Sequence, residues 1–269
     1  MNKSVAILGC GWLGLPLARS LLGAGYTVHG STTSANKLNL LSEAGINPFH
    51  IQLEEQKVVG PIKAFLKNVD VLLINVPPGL RNGGSENYVL KMESLCKAML
   101  VSGVRNVLFV SSTSVYGRGE GETTEDTAPA PLTESGRQVL EAELLFRSTP
   151  RFKSIIIRLG GLIGPNRHPV TRLAGKKGLK NGDDPINLIH LNDAIHVIRT
   201  VLEGQHWNQV FNAVYPAHPS KKNYYRKEAQ KRQLKVPAYD PPTSETKGKW
   251  VISRLFLSFD YSFFSSILN

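Results

Sequence analysis

Short apolar runs alternate along this chain with longer stretches whose apolar residues recur at helical spacing. Runs at residues 5–8, 27–30, 48–52, 69–74 and 107–110 have the length and composition of buried strands. Between them the period changes. Leu15, Leu17, Ala18, Leu21 and Leu22 lie at the spacing of one helical face, and Gly23-Ala24-Gly25 supplies an end signal. A helix is predicted over 86–101, with Ser85 as its cap, Val89, Met92, Cys96 and Met99 on one face, and Gly103 beyond its end. Another is predicted over 134–146. Farther on, 154–159 reads as a buried strand, 193–202 as a helix capped by Asn192, and 209–214 as a strand. Strand-then-helix repetition predicts a parallel sheet covered on both faces. Two loops rich in Gly, Pro and charge, 77–84 and 118–132, are expected to be functional. Residues 160–185 read as a basic loop, and after Tyr215 the periodicity weakens. The expected division is a sheet domain of 1–159 with 186–214, and a small lobe of 160–185 with 215–269.

Composition narrows this picture only a little. A chain of 269 residues holds one large core or a domain with an appended lobe. A hydrophobic fraction of 41% and a charged fraction of 20% are those of a soluble globular protein. No apolar run approaches the roughly 20 residues of a membrane span, and with the first strand starting so early no signal peptide is expected. Cys10 and Cys96 suggest neither a disulfide framework nor a metal site, so a cytoplasmic setting is expected. The formal net charge of +11 favours anionic partners in general: a phosphorylated cofactor, an acidic substrate or nucleic acid.

The chemistry begins at Gly9-Cys10-Gly11-Trp12-Leu13-Gly14, between the first strand and the first helix. In such a loop the first glycine makes the tight turn, the second admits the phosphates and the third lets helix and strand pack closely. The backbone N–H groups then sit at the positive end of the helix, where a pyrophosphate binds. Pro16 falls a turn into that helix, where its missing N–H leaves the Trp12 carbonyl without its usual partner. NAD-binding loops of this kind carry an acid near the end of the second strand for the ribose hydroxyl. Here residues 29–34 read His29, Gly30, Ser31, Thr32, Thr33, Ser34, without Asp or Glu. Ser31, Thr32, Thr33 and Lys37 can instead bond a 2′-phosphate, which favours NADP over NAD, although Ser34 can equally serve as a helix cap.

With that loop in place, Val110-Ser111-Ser112-Thr113-Ser114-Val115-Tyr116-Gly117 resembles the end of the fifth strand in extended short-chain dehydrogenases/reductases, the group of sugar-nucleotide epimerases and dehydratases. Asn75-Val76-Pro77-Pro78 looks like that group's loop beside the cofactor. Arg158-Leu159-Gly160-Gly161-Leu162-Ile163-Gly164-Pro165 looks like its sixth strand and the turn into the substrate loop. Asn187-Leu188-Ile189-His190-Leu191-Asn192-Asp193 and Phe211-Asn212-Ala213 match its late segments. The resemblance covers residues 1–215. More narrowly, Gly11-Trp12-Leu13-Gly14, Gly164-Pro165-Asn166-Arg167-His168-Pro169, Pro216-Ala217-His218-Pro219 and Lys247-Gly248-Lys249 resemble the atypical YeeZ-like branch of the epimerase/dehydratase family. The implied fold is α/β: a doubly wound parallel Rossmann-type sheet of about seven strands with a small C-terminal substrate lobe. The implied cofactor contacts are Gly9, Gly11, Trp12, Leu13 and Gly14, joined by Asn75, Val76, Pro77 and Ser111.

One part of the pattern is missing. Active members of that superfamily usually carry Tyr-x-x-x-Lys on the helix after the fifth strand, the lysine lowering the tyrosine pKa for proton transfer. None of the 8 tyrosines here has a lysine four positions later. Ser135 and Val139 stand where the pair is expected. Ser112 matches the family's hydroxyl that bonds the reacting oxygen, and Tyr116 and His168 are the replacement proton donors to consider. For Tyr116 a packed aromatic is the competing reading, and His190 reads as structural. Arg167, Arg172 and Lys176, beside Lys177, can hold an anionic small-molecule substrate. The basic run from Lys221 to Lys227 reads as an amphipathic helix with inward tyrosines rather than a nucleic-acid surface. The resemblance therefore implies an NAD(P)-dependent oxidoreductase or epimerase/dehydratase-like enzyme with an unusual proton donor, either monomeric or a homodimer. The alternative is a catalytically silent NADP(H) sensor or scaffold.

Overall fold

Seven parallel strands form one sheet in the computed structural model, which describes residues 3–79, 86–242, 248–258 and 261–268. They are β1 (Ser4–Leu8), β2 (Thr27–Thr32), β3 (Asn47–His50), β4 (Val71–Ile74), β5 (Asn106–Ser112), β6 (Lys153–Leu159) and β7 (Gln209–Ala213). Their spatial order is β3-β2-β1-β4-β5-β6-β7. The chain thus winds outward from β1 in one direction and then returns to wind outward in the other. The reversal opens a crevice between β1 and β4 at the carboxyl ends of the strands, which is where such sheets bind ligands. In register, Ile7 lies between Gly30 of β2 and Leu73 of β4.

Every residue of β1 is buried, because both faces of the sheet are covered. Its side chains alternate between two cores, as strand geometry requires. Val5 and Ile7 join Leu17, Leu21, Val197, Val201 and Phe211 on the face packed by α1 (Gly14–Gly23) and α5 (Leu191–Glu203). Ala6 and Leu8 join Met92, Met99, Phe109 and Phe146 under α3 (Tyr88–Leu100) and α4 (Glu134–Ser148). The short α2 (Leu38–Glu43) lies between β2 and β3. Each fully buried aliphatic or Phe side chain contributes about 1.5–3 kcal/mol, so these two layers dominate the stability of the sheet.

The helix starts differ from expectation in two places. Asn87 caps α3, its Oδ1 accepting from the N–H groups of Val89 (2.9 Å) and Leu90 (3.2 Å). The expected cap, Ser85, and most of the 77–84 loop lie outside the described residues. His190, not Asn192, caps α5: its Nδ1 accepts from Asn192 N–H at 3.2 Å. The helix begins directly at the end of the strand Leu188–His190, so the last strand residue falls in the capping position. Thr133 caps α4 by accepting from Gly136 N–H.

The stretch 160–185 is more ordered than a loop. Gly161–Ile163 pairs in parallel with Leu188–His190, and Val170–Leu173 is a helical turn. A third cluster unites Ile163, Val170, Ile186 and Leu188 with Tyr224, Tyr225 and Ala229 of α6 (Lys221–Lys231). The tyrosines of the basic run thus face inward. Near the C-terminus, Lys249–Val251 pairs in parallel with Gly121–Thr123, while Leu255 and Tyr261 pack into the α1–α5 core. Among the described residues no helix is long and apolar enough to cross a membrane.

Candidate active site

The loop joining β1 to α1 is closed at two glycines and open at the third. Gly9 has φ +103°, and a Cβ there would stand 2.7 Å from the Asn75 carbonyl oxygen. A Cβ on Gly14 would stand 2.2 Å from the carbonyl oxygen of Gly9. At Gly11 a Cβ would meet nothing within 4 Å. The outer two glycines are therefore required by chain packing, and the middle one borders free space at the amino end of α1. That combination fits a dinucleotide pyrophosphate, whose oxygens need bare backbone and unsatisfied N–H groups. Pro16 sits in the first turn of α1, where Leu15 N–H still reaches Gly11 O (3.0 Å) and Leu17 N–H reaches Leu13 O (3.1 Å).

Several expected cofactor residues hold this loop from behind. Ser31 is buried, its hydroxyl accepting from Gly9 N–H (3.0 Å) while its carbonyl accepts from Cys10 N–H (2.8 Å). Thr32, also buried, accepts from Ser34 N–H at 3.1 Å. Thr33 and Lys37 are exposed. Asn75 donates to Gly9 O at 3.1 Å, and the Val76 carbonyl accepts from the Tyr88 hydroxyl. Pro77 is exposed beside them, and Leu13 is buried in the α1 core. Burial pushes the Cys10 thiol up to about 12, so it behaves as a small apolar residue of the loop.

Trp12 leans out of the loop toward 164–167. Its Nε1 donates to Pro165 O at 3.2 Å, and the Arg167 guanidinium lies 4.8 Å from the indole centroid. Arg172, within the 170–173 turn, and Lys176, just after it, are exposed.

At the end of β5, Ser112 is half-buried and its Oγ accepts from Ser114 N–H at 3.2 Å, capping the turn Thr113–Tyr116. Its neighbours belong to an enclosed polar network that sequence reading did not reveal. Ser111, expected near the cofactor, instead donates to the carboxylate of Glu143, which is 0% exposed. Glu143 pairs with Arg158 through Nη2 at 2.7 Å, and Arg158 Nη1 donates to the Tyr116 hydroxyl at 2.9 Å. Tyr116 in turn donates to Asn212 Oδ1 at 2.8 Å. The phenol is thus committed on both sides and 3% exposed. Burial pushes its pKa up, against the opposing charge of Arg158. The ring is packed in the core and its hydroxyl is enclosed.

His168 is buried too. Its Nδ1 accepts from Val170 N–H at 3.2 Å, which leaves the proton on Nε2, 3.0 Å from the Tyr224 hydroxyl. Glu228 lies 3.5 Å from Nε2 and favours the imidazolium, but that carboxylate is also paired with Arg232. Desolvation, helped by Arg232, brings the His168 pKa down to about 4. Protonation would also require breaking the Val170 bond. The folded state therefore binds fewer protons than the unfolded state between about 4 and the unfolded value near 6.5. Stability is expected to be full above that window and to fall as pH drops through it, by an amount on the order of 3 kcal/mol. Urea midpoints of wild type and His168→Gln across pH 4–7 check this, and parallel curves would refute it.

Lys249 was not anticipated at the site. The strand Lys249–Val251 lays its ammonium on the turn after Ser112, donating to the carbonyls of Thr113 (3.2 Å) and Gly117. Burial, with the charge of Lys221 nearby, brings its pKa down to about 8. No sequence signal pairs residue 249 with residue 113.

Comparison with known proteins accords with this geometry. Residues 5–213 match the NAD dependent epimerase/dehydratase family. The chain is 34% identical over 265 residues to Protein YeeZ of Escherichia coli (strain K12), covering 97% of this chain and 96% of that protein. It is 25% identical over 218 residues to the decarboxylating sterol-4-alpha-carboxylate 3-dehydrogenase of Dictyostelium discoideum, covering 72% of this chain and 66% of that protein. Among solved structures, UDP-glucuronic acid 4-epimerase from Bacillus cereus, in complex with NAD, has the same fold. Its TM-score is 0.80 at 19% identity, over 98% of this chain and 93% of that one. With its sheet order, its glycine loop and a family match over most of its length, the chain belongs to the NAD-dependent epimerase/dehydratase family.

Proposed function

We propose that the protein binds an NAD(P) dinucleotide at the glycine loop and performs oxidoreductase or epimerase/dehydratase-type chemistry on a small anionic molecule. The observation that carries this reading is the open space at Gly11 between the closed positions Gly9 and Gly14. A bound nicotinamide supplies hydride exchange. The remaining tasks fall to side chains of this chain. Ser112, half-buried at the end of β5, offers a hydroxyl to the substrate oxygen. Lys249 carries a proton exchangeable near neutral pH and sits on the same turn, a suitable replacement for the missing tyrosine–lysine pair. Arg172 and Lys176 offer exposed cations to an anionic substrate. NADP is preferred to NAD because the end of β2 lacks an acid and presents exposed Thr33 and Lys37.

Titration of the full chain with NADPH and NADH, followed by cofactor fluorescence, tests the cofactor assignment. Tighter NADPH binding is expected, and a preference for NADH would reverse the assignment. Ser112→Ala is expected to lower hydride-transfer turnover by about 100-fold, the lower end of acid–base contributions, with cofactor affinity unchanged. Wild-type turnover in that variant would remove Ser112 from the mechanism.

A second reading, an NADP(H) sensor without chemistry, is favoured by one observation. Tyr116 and His168 are both committed to enclosed hydrogen bonds. A sensor must bind NADP⁺ and NADPH with different affinity, since a ligand shifts states only by differential binding. Equal affinities would eliminate that reading.

A further inference from the structure

We infer that Asn187 is the positioning residue for Lys249, its side-chain amide standing in for a neighbouring strand beside Lys249–Val251. The inference rests on the reading of Lys249 as proton donor given above. One edge of that strand pairs in parallel with Gly121–Thr123. The other edge carries no strand among the described residues. There Asn187 Nδ2 donates to Lys249 O at 3.0 Å, and Val251 N–H donates to Asn187 Oδ1 at 2.7 Å. The two backbone groups flank residue 250 on one edge, as they would for a peptide group of an adjacent strand. A side-chain amide holds both the donor and the acceptor that these bonds need. Asn187 is itself anchored: its carbonyl accepts from Gly161 N–H at 2.8 Å, just before the strand Leu188–His190.

Lys249 depends on this second hold. A two-stranded pairing is marginal in water, and this one spans 3 residues. The bonds to Asn187 engage the carbonyl of residue 249 itself, so they fix the point from which its side chain leaves the backbone. From there the ammonium reaches the carbonyls of Thr113 and Gly117 and stands 5.8 Å from the centre of the Tyr116 ring. Asp184 supports the approach to the strand, accepting from Gly248 N–H at 3.2 Å. The charged groups around the strand are Lys221 at the start of α6, paired with Asp184 at 3.0 Å, and the exposed Glu120 and Glu122. The Tyr116 phenol is bonded to Asn212 and Arg158. Asn187 carries no charge, so shortening it alters the hold on the strand and not the charges around the amine.

Acetylation of the full chain with acetic anhydride at a series of pH values, read by peptide mass spectrometry, measures the titration of Lys249, with exposed Lys63 as internal reference. The wild type is expected to titrate near pH 8. Asn187→Ala should raise that midpoint by about one pH unit or more, toward the ordinary lysine value of about 10.4, because a released strand lets water reach the ammonium. Ser253→Ala removes a different bond of the C-terminal segment, from Ser253 Oγ to Asn212 O, and should leave the midpoint where it is. Hydrogen exchange of the wild type gives a check that needs no variant. The Val251 amide should be protected, and exchange at the free-chain rate overturns the hold. An unshifted midpoint in folded Asn187→Ala overturns the positioning role and leaves the reading of Lys249 standing. Equal shifts in Asn187→Ala and Ser253→Ala overturn it too, since any loosening of the segment would then suffice. A wild-type midpoint at the ordinary lysine value overturns both the proton-donor reading and the inference built on it.

Discussion

Glu143→Ala is expected to lower the unfolding free energy by about 3–5 kcal/mol, the cost of leaving a buried charge without its partner. Arg158 is 2% exposed and Glu143 0%, so water cannot replace the lost carboxylate. The guanidinium has three hydrogen-bond contacts to Glu143, from Nε at 3.1 and 3.2 Å and from Nη2 at 2.7 Å. The same carboxylate accepts from Ser111, so the variant also strands a buried hydroxyl. Glu143→Gln keeps the shape but removes the charge, and should lose a smaller part of the stability. The double variant Glu143→Leu with Arg158→Met should recover much of the loss, since apolar replacement of a buried pair is often neutral or favourable. Urea unfolding of the four proteins measures these losses and the recovery. A loss below about 1 kcal/mol in Glu143→Ala would show that the pair is solvated in solution.

This network also marks where sequence reading reached its limit. Ser111, Tyr116, Glu143, Arg158 and Asn212 come from β5, the following turn, α4, β6 and β7, and only the folded sheet brings them together. Local pattern carried the fold much further. β1, β2, the glycine loop and α1 are continuous in the chain, and their apolar spacing marks them without tertiary information. The caps were harder to place. Asn87 and His190 both sit beside other plausible caps, and the choice depends on where packing starts the helix. Side-chain direction was harder still. Ser31 and Ser111 lie at strand ends facing the crevice, yet both hydroxyls turn into buried hydrogen bonds. Lys249 reaches the Ser112 turn from 136 residues away, through a strand pairing whose partner lies in the 118–132 loop. The missing Tyr-x-x-x-Lys pair was legible because absence at a fixed spacing needs no coordinates. What stands in its place was not.

The second and third glycines of the loop should respond in opposite ways to the same added methyl group. Gly11→Ala is expected to leave Tm within the small range of surface substitutions, because its Cβ meets nothing within 4 Å. Its affinity for NADPH should nevertheless fall at least tenfold, about 1.4 kcal/mol, because the methyl occupies space the phosphates need. Gly14→Ala places a Cβ 2.2 Å from the backbone oxygen of Gly9 and 3.0 Å from Asn75 Nδ2. The obstacle is backbone, not the end of a flexible side chain, so α1 must move away from β1. Stability should then fall by about 1–3 kcal/mol, as for other overpacked positions, and cofactor binding should fall with it. The contrast separates packing from ligand recognition within one loop. Loss of binding in a fully stable Gly11→Ala protein places the phosphates over Gly11. Wild-type binding in that variant would leave the open space at Gly11 without a ligand and refute the cofactor reading at its central residue.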